Sequence, residues 1–194
     1  MHCHFHLAET VPLSSSAPDK TSIRICKDPI SLGQGEPPYD ESYREAVIEL
    51  KDEYGIEAVV TGDISYVDDF HGNWIDEVCK GTGVQVIKPL WEKPRKEFME
   101  ELLANKFKVT FTCVKEPWLT EDWVGKVIDP PLLKNLEVLH EKNGLDLCGE
   151  NGEYHTMTLD APFFTKAVQV RKFETKKTEN GFIMEALDFG LAAK

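Results

Sequence analysis

Apolar positions between residues 41 and 54 recur at Tyr43, Ala46, Val47, Leu50 and Tyr54, the spacing of one helix face, and Gly55 stands where such a helix stops. The short run from Ile56 to Val60 predicts a strand, halted by Thr61-Gly62-Asp63. A helix over 73–80, closed by Gly81 and Gly83, and a strand over 84–87 follow. Next come a helix over 94–104 that opens on Pro94, where the missing N–H is no loss, and a β-branched, aromatic strand over 108–114. Helix and strand thus alternate through the middle of the chain, the pattern of a mostly parallel sheet covered by helices. Ligands of such sheets sit beyond the carboxyl ends of the strands, where Gly62 and Asp63 fall.

After residue 130 the pattern changes. A helix is predicted over 130–142, between Pro130-Pro131 and Asn143-Gly144, followed by the polar turn Cys148–Glu153 and a strand over 154–159. Two alternating runs, 167–173 and 182–187, meet around Asn180-Gly181 as a hairpin. Upstream, residues 11–20 and 28–40 read as loops on either side of a strand over 21–27. The expected organisation is an α/β domain over residues 1–115 and a smaller α+β lobe over 116–194.

Composition narrows the function classes. Of 194 residues, 41% are hydrophobic and 29% charged, which suits a globular fold and excludes a disordered chain. Acidic residues outnumber basic ones 34 to 22, a formal charge of −12, which disfavours nucleic acid and favours cations or basic protein surfaces. Five widely spaced cysteines without a CxxC pair read as reduced thiols. No apolar run approaches a membrane span and the first ten residues lack the features of a signal peptide, so the expected location is the cytoplasm.

The densest chemistry lies in Gly149-Glu150-Asn151-Gly152-Glu153-Tyr154-His155-Thr156. Its two glycines permit close backbone approach, and its carboxylates, amide, phenol, imidazole and hydroxyl supply donors and acceptors. The same residues also suit a plain polar turn before an edge strand. Asp63 at a strand end would hold Mg²⁺ or a ribose hydroxyl, or else cap the next segment. His2, His4 and His6 share one face of an extended chain, but ligands confined to one terminal stretch rarely complete a metal's coordination. Trp91, Trp118 and Trp123 read as packing residues, and neither Cys79 nor Cys148 has the basic surroundings of a nucleophilic thiol.

In order along the chain, VVTGDI (59–64), NWIDEVC (73–79), PLW (89–91) and CGENGEYHTMTLDAP (148–162) resemble the diphthine–ammonia ligase family of ATP-pyrophosphatases. The resemblance covers roughly residues 40 to 165. It implies a Rossmann-like sheet of the ATP-pyrophosphatase type, with ATP and Mg²⁺ as cofactors. It also implies a reaction in which ATP adenylates the carboxylate of diphthine, a modified histidine of elongation factor 2. Ammonia then displaces AMP to leave the amide.

Carried onto this chain, the resemblance puts Gly62 and Asp63 at the nucleotide and Glu150, Glu153 and His155 at the chemistry, with Asn151, Gly152, Tyr154 and Thr156 lining the substrate side. The carboxylates would accept hydrogen bonds from ammonia or attract the trimethylammonium of diphthine, Tyr154 would offer a π face, and His155 would take a proton. Expected partners are elongation factor 2, ammonia and a second copy of the chain, with no nucleic acid or membrane. The family's Ser-Gly-Gly-Lys-Asp-Ser phosphate loop does not occur in this sequence. An incomplete product, half of a split enzyme and a relative without ATP hydrolysis all fit that departure. Two alternatives to the ligase stand beside it: a nucleotide-using relative acting on a small metabolite, and a non-catalytic binding module.

Overall fold

In the computed structural model, which describes residues 39–66 and 73–194, the chain divides into two units, residues 1–56 and 57–194. The described part of the first is helix α1, Tyr39–Tyr54. Asp40 and Glu41 in its first turn and Lys51 in its last complement the helix dipole, and Gly55, at φ 65°, closes it by donating to the Lys51 carbonyl. The strand expected over 21–27, most of the flanking loops and the His2/His4/His6 stretch lie outside the described residues.

The second unit is mixed α/β and holds two sheets. Strand β1 (Ala58–Val60), helix α2 (Trp74–Cys79) and strand β2 (Gln85–Ile87) form a small parallel unit, with Ala58 opposite Gln85 and Val60 opposite Ile87. Asn73 caps α2 by accepting from the Ile75 N–H. Helix α3 (Arg95–Ala104) then leads into β3 (Lys108–Lys115), and helix α4 (Pro130–Asn143) precedes β4 (Tyr154–Asp160), β5 (Lys166–Lys177) and β6 (Gly181–Ala193). Asp129 caps α4 through the Leu132 N–H, and Gly144, at φ 76°, ends it.

The fold is α/β, as the alternation predicts, but β3 corrects the expected sheet. It does not continue the parallel pair; it lies in a four-stranded antiparallel sheet of order β4-β3-β6-β5. Val109, Thr110 and Phe111 are buried in succession because both faces of β3 are covered. That unbroken burial is what a parallel-sheet strand also shows, so hydrophobic pattern alone does not separate the two.

On its second edge β3 has two neighbours in turn. Phe111 and Val109 exchange backbone hydrogen bonds with residues 125–128, and beyond them Cys113–Lys115 pair with Gly181–Ile183 of β6. A Cβ on Gly181 would lie 2.0 Å from the Val114 carbonyl oxygen, so the glycine is there for close strand approach. The hairpin turn is accordingly Thr178–Asn180, with Thr178 N–H bonded to the Gly181 carbonyl, and Gly181 opens β6 rather than serving as a turn residue. The core gathers under β3. Phe111 is fully buried with its ring edge-on to Trp123 (5.5 Å) and Tyr154 (4.8 Å), while Leu136 of α4 and Leu145 are equally enclosed.

Candidate functional site

The segment between α4 and β4 is held by two carboxylates. The Asp146 N–H donates to Glu153 Oε1 at 2.8 Å, while Asp146 Oδ1 accepts from the amides of Cys148 (2.8 Å) and Glu150 (3.4 Å). Such an aspartate, bonding the backbone two residues on, builds a turn from its own side chain. Two backbone turns follow, Gly149 N–H to the Asp146 carbonyl and Gly152 N–H to the Gly149 carbonyl. Gly149 and Gly152 sit at φ 72° and 78°, and a Cβ on Gly149 would press within 3.0 Å of Tyr154.

Glu153 is only 1% exposed. Its Oε1 also accepts from Asn151 Nδ2 at 3.3 Å, its Oε2 has no hydrogen-bond partner among the described residues, and its carbonyl receives the Lys115 N–H that joins β4 to β3. Tyr154 follows in the core, its hydroxyl donating to the Leu147 carbonyl and its phenol pushed well above the usual value by burial. Alternation along β4 sends His155 to the face opposite Tyr154 and Thr156. Burial, and then the Lys115 ammonium, hold the His155 imidazole below its usual value, so it stays neutral near pH 7.

Across from this turn, the chain leaves β1 at Gly62. Among the described residues no atom would meet a Cβ there within 4 Å. Asp63 Oδ2 accepts from Asn73 Nδ2 at 2.9 Å, so Asp63 braces the residue that caps α2. A cleft of about 170 Å³ joins the two regions. Phe98, Met99 and Leu102 of α3, with Val109 and Ile128, supply apolar walls, and Gly62, Cys148, Glu150, Tyr154 and Thr156 also border it. The cleft therefore brings together Gly62, Glu150, Tyr154 and Thr156, whereas Asp63, Asn151, Gly152, Glu153 and His155 are not part of its wall.

Charge ties the two sides together. Burial pushes the Glu150 carboxyl up; Arg95 pulls it down, and Asp146, Asp63 and Glu153 raise it further. Arg95 donates to Asp146 Oδ2 (3.2 Å) and to Ser65 Oγ (2.7 Å). The Cys148 thiol is pushed up to about 12, chiefly by burial, which leaves it unreactive. Among the described residues no three His, Cys, Asp or Glu side chains converge on a metal position, and no helix is long and apolar enough to cross a membrane.

Sequence reasoning passes over Arg95, Ser65, Asp146 and Lys115. For Asp146 a signal exists, an aspartate placed two residues ahead of Cys148 in a polar turn. For Arg95 there is none, since Ser65 and Asp146 are distant from it along the chain.

The sequence model of the family described as "Diphthamide synthase C-terminal domain" matches residues 94–186, which run from the start of α3 into β6. Over 129 residues, 64% of this chain, it is 33% identical to the diphthine–ammonia ligase of Mus musculus and 30% identical to that of Homo sapiens. The enzyme of the same name from Schizosaccharomyces pombe is 28% identical over 142 residues, 73% of this chain and 23% of that protein. The matched stretch is 46% of either mammalian protein, so the chain spans about half the length of those relatives. Residues 94–186 hold the polar turn, β4 and the cleft walls given by α3, Val109 and Ile128, and over that stretch this chain is similar to the diphthine–ammonia ligases.

Proposed function

We propose that this chain takes part in diphthamide biosynthesis as the substrate-side part of an ATP-dependent ligase. In this reading diphthine on elongation factor 2 is amidated through an acyl-adenylate, with release of AMP and pyrophosphate. The relatives' shared name supports the assignment, and the observation that carries it is the cleft. Gly62 from the end of β1 and Glu150 and Thr156 from the turn and β4 border one small cavity. A reaction that joins an activated carboxylate to ammonia gains most from holding its reactants side by side in this way.

The parallel β1–β2 pair with α2 supports a Rossmann-like nucleotide side. Bound ATP would supply the adenylyl group that activates the carboxylate. Gly62, with open space around it among the described residues, and Asp63 are suited to face it. Mg²⁺ leans on one or two carboxylates and on phosphates rather than on a full protein cage. Glu150 on the cleft wall is the carboxylate assigned to ammonia, with Thr156 beside the substrate and Asn151 and Gly152 presenting the turn. Glu153 acts through the turn it holds, and His155, on the opposite face of β4 and off the cleft wall, is given no proton-transfer step there. The net acidic charge suits docking on a basic protein surface such as elongation factor 2 would need to offer.

The test is release of AMP and pyrophosphate by this chain, dependent on both ammonium and diphthine-bearing elongation factor 2. Loss of that release in Glu150→Gln and Thr156→Val supports the reading. A wild-type chain that binds no ATP by calorimetry with Mg²⁺ present, and forms no amide, rejects it. AMP release that ignores elongation factor 2 assigns the chain to a small metabolite instead.

A further inference from the structure

We infer that Arg95 is a positioning residue that keeps the two sides of the cleft in register, an inference that rests on reading this cleft as the reaction site. Arg95 opens α3 directly after Pro94, so its backbone is set by a rigid neighbour. From there the guanidinium spans two segments far apart in sequence. One terminal nitrogen donates to Ser65 Oγ at 2.7 Å, on the stretch leaving β1, and Nε donates to Asp146 Oδ2 at 3.2 Å, at the root of the polar turn.

Both anchor points are themselves fixed. Beside Ser65, the Ile64 carbonyl accepts the Glu92 N–H at 2.7 Å and the Ile64 side chain is buried. On the other side, the second Asp146 oxygen holds the amides of Cys148 and Glu150, so a shift of Arg95 reaches the Glu150 backbone through a single carboxylate. The Arg95 carbonyl adds a second tether, accepting the Cys148 thiol at 3.9 Å. The side chains of Arg95 and Asp146 are 24% and 15% exposed, so solvent screens this pair less than it would a surface pair.

The bridge needs the planar fork of arginine. Two donors of fixed divergence meet acceptors on two segments, which a lysine ammonium at the end of a flexible stem does not reproduce. Arg95 also lowers the Glu150 carboxyl, which burial and three neighbouring carboxylates raise. Arg95→Lys therefore removes the geometry and keeps the charge, whereas Arg95→Gln removes both.

Amide hydrogen exchange, amidation kinetics and a carboxylate titration on the same variants test this. In both Arg95→Lys and Arg95→Gln, exchange of residues 62–66 and of the Cys148 and Glu150 amides rises together by about tenfold or more, with β3 and α4 as protected as in the wild type. In amidation kcat falls by about tenfold while KM for ATP stays within about twofold. By NMR the Glu150 carboxyl titrates higher in Arg95→Gln and is nearly unmoved in Arg95→Lys, a separation that a merely structural role would not produce. Ser65→Ala, a milder change at the same bridge, loosens residues 62–66 alone. Wild-type exchange in both Arg95 variants, or protection lost evenly across residues 57–194, overturns the inference. If the wild-type chain makes no amide, the ligase reading falls by itself, and exchange and titration still decide the role of Arg95.

Discussion

The backbone N–H of Asp146 donates to the buried carboxylate of Glu153 at 2.8 Å, and this one bond closes the polar turn from beneath. Glu153 is thereby a scaffold for its neighbours as much as a reagent. In Glu153→Ala the half-buried Asp146 amide and the exposed Asn151 side chain lose their acceptor, and stability falls by about 1–3 kcal/mol, most of it from the Asp146 bond. Glu153→Gln keeps an acceptor at Oε1 and loses about 1 kcal/mol or less. Urea unfolding of the three proteins checks this; equal midpoints for Ala and wild type would contradict the role.

Glu150 gives a pH signature of known sign. Its folded carboxyl is raised above the unfolded value, chiefly by burial, so the folded state holds its proton longer. Its contribution to stability is present in acid, fades as pH rises from the usual carboxylate value through the raised folded value, and is gone above both. Glu150→Gln is expected to be the more stable protein at neutral pH, with the advantage shrinking below the carboxylate range. Unfolding midpoints measured across that range test the sign.

His155 should titrate below about 6.5, the ordinary imidazole value, when followed by its ring-proton NMR signal. Lys115→Gln moves the midpoint upward only in part, because burial is the larger cause. A full return to the ordinary value in that variant would mean that charge, not burial, dominates.

Gly181 and Gly152 separate two reasons for a glycine. Gly181→Ala drives a Cβ into the Val114 carbonyl, backbone against backbone, and costs about 2–4 kcal/mol. Gly152→Ala meets only the mobile end of Lys115 and the strain of φ 78°, about 1 kcal/mol. Thermal unfolding of the two variants should rank them in that order.

Local structure was largely legible in the sequence because its signals are local. Helix α4 announces itself by Pro130-Pro131 at one end and Gly144 at the other, and the polar turn by Gly149 and Gly152, both at positive φ. Sheet membership of β3 was not legible: its partners around residues 125–128, 154–160 and 181–183 all follow it, and burial on both faces hides strand direction. The cleft was half legible. Polar residues crowded in a turn suggest chemistry, yet nothing in their spacing tells that the Glu153 side chain is buried while Glu150 lines the cavity, or that Arg95 ties Asp146 to Ser65.

The central place of β3 in its sheet also bears on how the molecule comes into being. Val114 is fully enclosed, with Tyr154 opposite it on one side and Phe182 on the other. During synthesis the ribosome delivers β3 before any of these neighbours exists, so an apolar strand with two open edges must wait through the making of α4 and the polar turn. Residues 125–128 arrive first and cover part of one edge, β4 closes the other, and only β6 completes the sheet. The nascent chain is thus most in need of a chaperone between the emergence of Phe111 and that of Phe182.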